Sequence, residues 1–409
     1  MNYAEKLRTL FSEYPRQFWI VTFGILISSA GSSMIWPFQL IYVSKTLALP
    51  ISTVTTIVTI SSITALGASP LGGFFADRFG RRNLMIFAQV SHGVAYLLMS
   101  MAHTYVQFLL PMTLMGAAMP LYSVGSDAMM ADMVPPEKRS SAYSILRMFN
   151  NTGIAVGPAI GGLIVAKSYQ LGFILAAIAM ATYGIYLFLF TRETLNKDNH
   201  PSTLTEANGK SGYGVVLANH KYLVFLLAIT IGVMAPMMLW MLLALYTTKY
   251  FHISEAQYSI IPMTNAIMCV VLQYPVTVFF RKFEIRNTIT IGMLAYAIGV
   301  GSIAIMNGFW GFWLSMVIMT LGELILIPTA TKYIADLAPV DLRGRYMSLY
   351  WLSWGISRAV APLVGGFLHD NIGPAYIWWG GLALGLSSTL ALFVISRLRS
   401  FQVGDTAVL

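Results

Sequence analysis

Long apolar runs separated by short polar intervals dominate the chain. They fall at about Phe18–Tyr42, Val54–Phe75, Leu84–Met101, Phe108–Met130, Ser144–Val165 and Leu171–Phe190. After one longer polar interval they resume at about Leu223–Tyr246, Tyr258–Phe280, Ile289–Met306, Phe309–Ile334, Met347–Leu368 and Tyr376–Ile395. Each approaches the ~20 residues that a helix needs to cross ~30 Å of hydrocarbon. In lipid a backbone must satisfy its own polar groups, so such runs predict helices. The pattern therefore predicts an all-α integral membrane protein with twelve transmembrane helices and both chain ends on one side.

The one long polar interval, Arg192–His220, is rich in Asn, Ser, Thr and Gly and lies midway. It reads as a linker without chemistry of its own. The expected organisation is a cytoplasmic N-terminal segment at 1–17, a six-helix half at 18–191, the linker at 192–220, a second half at 221–397 and a cytoplasmic tail at 398–409. An internal repeat supports this division. Ala131–Gly162 aligns without a gap on Ala335–Gly366, pairing Asp132 with Asp336, Pro135 with Pro339, Arg139 with Arg343 and Pro158 with Pro362. The two halves are thus expected to be pseudo-symmetric.

Composition agrees with a lipid solvent. The chain is 57% hydrophobic and only 10% charged, against roughly 25% charged in ordinary globular proteins. The first 17 residues lack an apolar core and a cleavage site, which reads as a cytoplasmic N-terminus and not a signal peptide. With that orientation the cytoplasmic loops collect Arg78, Arg81, Arg82, Lys138, Arg139, Arg281, Arg286, Arg343 and Arg345, while the opposite loops hold little more than Lys45, Lys167 and Lys249. This is the positive-inside bias. It accounts for the net charge of +9 through topology and anionic lipid, without nucleic acid. A single cysteine, Cys269, excludes an intrachain disulfide. No spacing of His, Cys, Asp and Glu suggests a metal site, and no nucleophile, base and orienting group are grouped as an enzyme would need.

The interval Gly72–Met85 (GGFFADRFGRRNLM) joins the second and third runs through what reads as a tight loop. Gly73, Ala76, Asp77, Arg78, Gly80, Arg81 and Arg82 fall in the register G-x-L-A-D-R-x-G-R-[KR]-x-x-L, with Phe75 and Met85 where leucine is usual. The stretch resembles the signature loop of the major facilitator superfamily of transporters. That resemblance implies the twelve-helix, two-half fold and a latch in which Asp77 faces the segment near Leu342–Arg345 and Arg81 reaches Asp132 while the cytoplasmic side is closed. A solvated charge cluster that only sets topology is the plainer alternative. A worn second copy, Pro275–Arg286, has Lys282 and Ile285 in place of Asp77 and Gly80.

In the fifth run, Gly153, Gly157, Pro158, Gly161 and Gly162 form a stripe of small residues around a proline. Small residues admit a close neighbour, and proline bends the helix. The stripe resembles the pattern of the drug/proton antiporter branch, which implies export in exchange for protons; tight packing alone explains it as well. The arginine that branch often carries in the fourth helix is replaced by Met112, so coupling has to use another group.

Charges inside hydrocarbon are rare and usually functional. Glu323 and Arg358 both fall near the midplane at ~1.5 Å rise per residue and are expected proton-coupling partners, with a static ion pair as the alternative. Asp127 and Arg147 form a second candidate pair, roughly 10 Å toward the cytoplasm, read first as a buried structural pair or inner-gate contact and second as a proton relay. Trp36, Gln39, Asn150, Trp240, Asn265 and Trp354 are candidate cavity residues, although Trp stripes in membranes are more often packing or interface anchors.

The expectation is a proton-coupled exporter of small hydrophobic or amphipathic compounds that works by alternating access as a monomer in a prokaryotic inner membrane. The proton gradient drives it, no cofactor is needed, and its partners are cargo, protons and lipid. A lipid or glycolipid flippase, a sugar or metabolite carrier, and more remotely a membrane receptor remain as alternatives.

Overall fold

The computed structural model describes residues 12–195, 213–339 and 342–397. The start of the N-terminal segment, the body of the expected linker at 196–212 and the expected tail at 398–409 lie outside the described residues, as do two positions of the internal repeat. Among the described residues every regular element is helical.

The elements run α1 (Arg16–Ile35), a 3-10 turn at Trp36–Phe38, α2 (Gln39–Leu47), α3 (Ile51–Phe79), α4 (Arg81–Ser100), α5 (Tyr105–Met133), α6 (Arg139–Val165) and α7 (Tyr169–Phe190). They continue with α8 (Tyr213–Ala218), α9 (His220–Phe251), α10 (Glu255–Tyr258), α11 (Ile260–Phe280), α12 (Ile285–Ser302), α13 (Gly308–Leu337), α14 (Arg343–Asn371) and α15 (Tyr376–Arg397). Nine of the described spans are long and apolar enough to cross a membrane. α4, α12 and α14 fall short of that mark because each spends part of its length on polar residues, such as Arg81 and Arg82, Arg286 and Asn287, or Arg343, Arg345 and Arg358.

Two differences from the sequence pattern have simple causes. The first apolar run is not one helix: Pro37, which has no N–H to donate, interrupts it in the 3-10 turn. Several helices also outrun their apolar cores, so that α3 continues to Phe79 and already contains Asp77 and Arg78.

The chain divides into two compact units. The first contains residues up to Ala48, Ile60–Pro201 and Ser254–Ala266; the second contains Leu49–Thr59, Ser202–Ile253 and Ile267 onward. In the first unit α1 packs on α6 and α7, and α4 packs on α5 and α7. An aromatic and methionine core including Tyr14, Phe18, Trp19, Met85, Met129, Met130 and Tyr183 fills its interior near the start of α1. In the second unit α9 packs on α14 and α15, and α12 on α13 and α15, so the same four pairings recur one repeat later. Each unit exposes large apolar side chains along its helices, among them Leu110 at 65%, Leu163 at 65% and Leu390 at 64%. Lipid is the solvent that makes such a surface stable.

The small-residue stripe explains the fit of α6 on α1. A Cβ at Gly153 or Gly157 would overlap the hydroxyl of Ser29 or Ser33, and one at Gly161 would overlap the carbonyl of Met34. Ser33 in turn donates to the Gly153 carbonyl at 3.1 Å. Gly162 faces Glu255 and Ser259 at the start of the eighth apolar run.

Candidate functional site

The signature stretch is not a loop. α3 and α4 meet at the single residue Gly80, whose φ of +94° lies where a side chain would be strained. Asp77 and Arg78 close α3, while Arg81 and Arg82 open α4. Arg81 is only 4% exposed, with Nη2 3.2 Å from Asp77 Oδ1 and Nε 3.1 Å from Asp132 Oδ2 at the end of α5. The Nε approach is an ion-pair contact and not an aligned hydrogen bond. Arg78 lies over the Phe74 and Phe79 rings, both at 5.8 Å, and Arg82 over Phe188 at 5.2 Å. Gly73 faces open space, so packing does not demand it.

Two residues of this cluster escaped the sequence reading. Glu193 accepts the backbone N–H of Arg81 at 2.9 Å and of Arg82 at 3.2 Å, placing a carboxylate on the N-terminus of α4. Unpaired N–H groups and the helix dipole both favour an anion there. Thr194 donates to Asp132 Oδ2 at 2.9 Å. Both residues follow Arg192 at the start of the polar interval between the two sets of apolar runs; an acid three residues past the sixth run is the available signal.

A second set of polar contacts gathers at the opposite end of α3. Asp370 accepts the N–H of Ser52 at 2.7 Å and of Ile51 at 3.3 Å, again a carboxylate on a helix N-terminus. His369 Nδ1 lies 2.6 Å from Asp370 Oδ1, and its Nε2 lies 2.6 Å from the Tyr250 hydroxyl. Burial opposes ionisation of Asp370, but the bonds from Ser52 and His369 outweigh it and hold the carboxyl below its ordinary value. Further along α3, Thr59 donates to the Ala359 carbonyl at 2.7 Å. In the first unit, Lys45 Nζ reaches Glu255 Oε1 at 2.9 Å, and the Tyr169 hydroxyl donates to the same oxygen. These lone charges at helix ends carried no motif to single them out.

The residues of the two expected intramembrane pairs fall on four helices, α5, α6, α13 and α14. Glu323 lies half-buried in mid-α13, one residue from Gly322, which packs against Gly292 and Tyr296 of α12. Arg358 lies in α14. The two share a depth, but depth leaves the direction of each side chain open. Asp127 and Arg147 are both exposed and are not joined by a salt bridge; the Asp127 carbonyl instead accepts from Tyr143 at 3.2 Å. Of the candidate cavity residues, Gln39 and Asn265 are buried, whereas Trp36, Asn150, Trp240 and Trp354 are half-buried. Among the described residues no cluster of three or more His, Cys, Asp and Glu could hold a metal ion.

Helices of this length, lipid-facing apolar surface and polar clusters at the helix ends define a multi-pass membrane protein. The chain belongs to the Major Facilitator Superfamily, which it matches over residues 21–247 and again over 225–405. It is 26% identical to a Na(+), Li(+), K(+)/H(+) antiporter of Planococcus maritimus over 81% of this chain and 84% of that one. It is 22% identical to the quinolone resistance protein NorA of Staphylococcus aureus over 93% and 96% of the two chains. The solved nucleoside transporter NupG superposes with a TM-score of 0.79 at 12% identity, covering 94% of this chain and all of that one, which speaks to the fold alone. The family and these relatives are transporters, not enzymes.

Proposed function

We propose that this protein is a proton-coupled secondary transporter that exports small amphipathic compounds by alternating access. It does so as two pseudo-symmetric six-helix halves, twelve spans in all, with both termini in the cytoplasm of a prokaryotic cell. The recurrence of the same four helix pairings in the two units supports the two-half architecture. The observation that carries the coupling role is Glu323, a half-buried acid in the middle of α13 beside Gly322, which packs on α12. An intramembrane carboxylate can load and release a proton as its surroundings change. The named antiporter and drug-resistance relatives favour exchange over simple facilitation. Asp77, Arg81 and Asp132 serve as the gate cluster, and the α6 glycine stripe as the surface on which α1 and α6 move together. The proton gradient is the driving force, no cofactor takes part, and the monomer is the working unit.

Exchange of a monovalent metal cation for protons is the second reading, favoured by the relative at 26% identity. Inside-out vesicles with an imposed pH gradient separate the two. The parent accumulates a hydrophobic fluorescent cation, and Glu323→Gln only equilibrates it. If Na+ or K+ collapses the gradient and the dye does not move, the metal-cation reading replaces the first. If the variant couples as well as the parent, Glu323 does not carry the proton.

A further inference from the structure

The two copies of the signature stretch have diverged in charge. Aligned from Pro275 on Pro70, the second copy keeps the paired rings, Phe279-Phe280 for Phe74-Phe75, but puts Arg281 where Ala76 stands and Lys282 where Asp77 stands. In the first copy Asp77 pairs with Arg81. In the second the counterpart, Arg286, takes Glu284 instead, with Nη2 2.6 Å from Oε1, and Asn287 donates to the other carboxylate oxygen at 3.0 Å. Glu284 is thereby engaged on both oxygens. Among the described residues neither Arg281 nor Lys282 has an acid within ion-pair distance, and both are exposed.

The turn between α11 and α12 also carries an aromatic surface that water disfavours. Phe279, Phe280 and Phe283 meet with ring centroids 5.2–5.7 Å apart, and Phe279 and Phe283 are 53% and 46% exposed. Aromatic rings of this kind settle where hydrocarbon gives way to lipid headgroups. Lys282 Nζ lies 4.2 Å from the Phe279 centroid and 5.4 Å from that of Phe283, so the rings hold the ammonium at the same level. Val271, Tyr274 and Val278 follow one face of α11 at i, i+3 and i+7 and are 44–76% exposed. Arg281 continues that face at i+10, its N–H still bonded to the Thr277 carbonyl at 3.2 Å. An apolar lane thus runs along the helix and ends at two cations.

We propose that the turn between α11 and α12 is a binding site for one anionic glycerophospholipid. Its phosphate lies between the Arg281 guanidinium and the Lys282 ammonium, and an acyl chain runs along Val271, Tyr274 and Val278. The charges select the class: a zwitterionic headgroup brings its own ammonium toward two fixed cations, whereas an anionic one brings only the charge that they lack. The lane and the exposed rings commit the site to a lipid, since a free phosphate would leave both uncovered. The lipid supplies from outside the counter-charge that Asp77 supplies within the first copy. The site is independent of what the protein carries.

The test is native mass spectrometry of the purified full chain in detergent, titrated with phosphatidylglycerol and with phosphatidylethanolamine of the same acyl chains. The parent retains one phosphatidylglycerol about tenfold more tightly than phosphatidylethanolamine. Arg281→Gln combined with Lys282→Gln weakens phosphatidylglycerol about tenfold or more and leaves phosphatidylethanolamine unchanged, and each single change falls between. Lys282→Asp, which restores the residue of the first copy, loses at least as much as Lys282→Gln. Lys249→Gln, which removes another exposed lysine over a ring, that of Tyr250 at 5.5 Å, binds like the parent. The substituted side chains are exposed, so every variant should unfold in lipid-free detergent at the parent's temperature. The proposal is overturned if the two lipids bind the parent alike, if the double variant and Lys282→Asp both retain phosphatidylglycerol like the parent, or if Lys249→Gln loses it equally. Displacement of phosphatidylglycerol by millimolar inorganic phosphate overturns the lipid assignment, because the cations would then bind phosphate without the lane.

Discussion

Glu193 and Asp370 do the same local chemistry and have opposite consequences for the chain. Each is a carboxylate that accepts two consecutive backbone N–H groups at a helix N-terminus, Glu193 on α4 and Asp370 on α3. Glu193 ties together elements of one sequence half, and with Arg81, Asp77, Asp132 and Thr194 it makes a cluster wholly inside the first unit. Asp370 reaches across more than three hundred positions and holds the first turns of α3 in the second unit, beside α14. Lys45 and Tyr169 do the converse, holding Glu255 in the first. The signature cluster thus ties together helices of one unit that are near in sequence, whereas the contacts at the far end of α3 tie a short segment to helices more than three hundred positions away.

The sharpest way to separate them is Arg81→Ala. Arg81 is almost fully buried, but Asp77 is 65% and Asp132 23% exposed, so water reaches the stranded acids. The loss is therefore expected at about 2–3 kcal/mol, below the full figure for breaking a buried pair. Thermal unfolding in detergent should show the largest drop of any variant considered for the two clusters. Labelling of a probe at the far end, Ser52→Cys in a Cys269→Ser background, should be unchanged. A labelling rate that rises with Arg81→Ala would mean that the two clusters are coupled and the contrast between them false.

The family and the helical class were legible because lipid imposes long apolar runs and because the signature residues stand in an unbroken register from Gly73 to Arg82. The glycine stripe was legible for a related reason: small residues at i and i+4 have few uses besides close approach. Helix ends were less so, since a charged turn such as Asp77-Arg78 extends a helix as readily as it ends one once tertiary partners exist. Glu193 and Asp370 were missed because capping by a distant carboxylate leaves no local pattern. The pairing of Glu323 with Arg358 rested on depth, which residue counting supplies. It did not rest on azimuth, which depends on how α13 and α14 are rotated in their bundle.

Asp370→Ala removes the cap from Ile51 and Ser52 and frees His369. Losing a helix cap costs about 1 kcal/mol, so the Ser52→Cys probe should label about fivefold faster at equilibrium-controlled opening, with little change in unfolding temperature. A fall in unfolding temperature as large as that of Arg81→Ala would make Asp370 a structural group like Glu193. Lys45→Ala should do less. Lys45 is 56% exposed, exposed pairs contribute about 0–1 kcal/mol, and the Tyr169 hydroxyl still holds Glu255. Its effect belongs in the release of the Glu255 segment, read by labelling Ser259→Cys in the same background.

The smallest effect is expected from pH, and its sign follows from the direction in which Asp370 is shifted. Its carboxyl is held below the ordinary value of 3.8 while it caps α3. The capped state therefore gains from ionised Asp370 at every pH above 3.8, and that gain is lost only as pH falls through the depressed value. Labelling of Ser52→Cys should accordingly not accelerate between pH 7.5 and about 5, and Asp370→Asn at neutral pH should reproduce what acid does only below that window. Acceleration already at pH 6 would shift the responsibility for opening this end to a group other than Asp370 and would make the far end of α3 a proton-sensitive contact instead of a mechanical one.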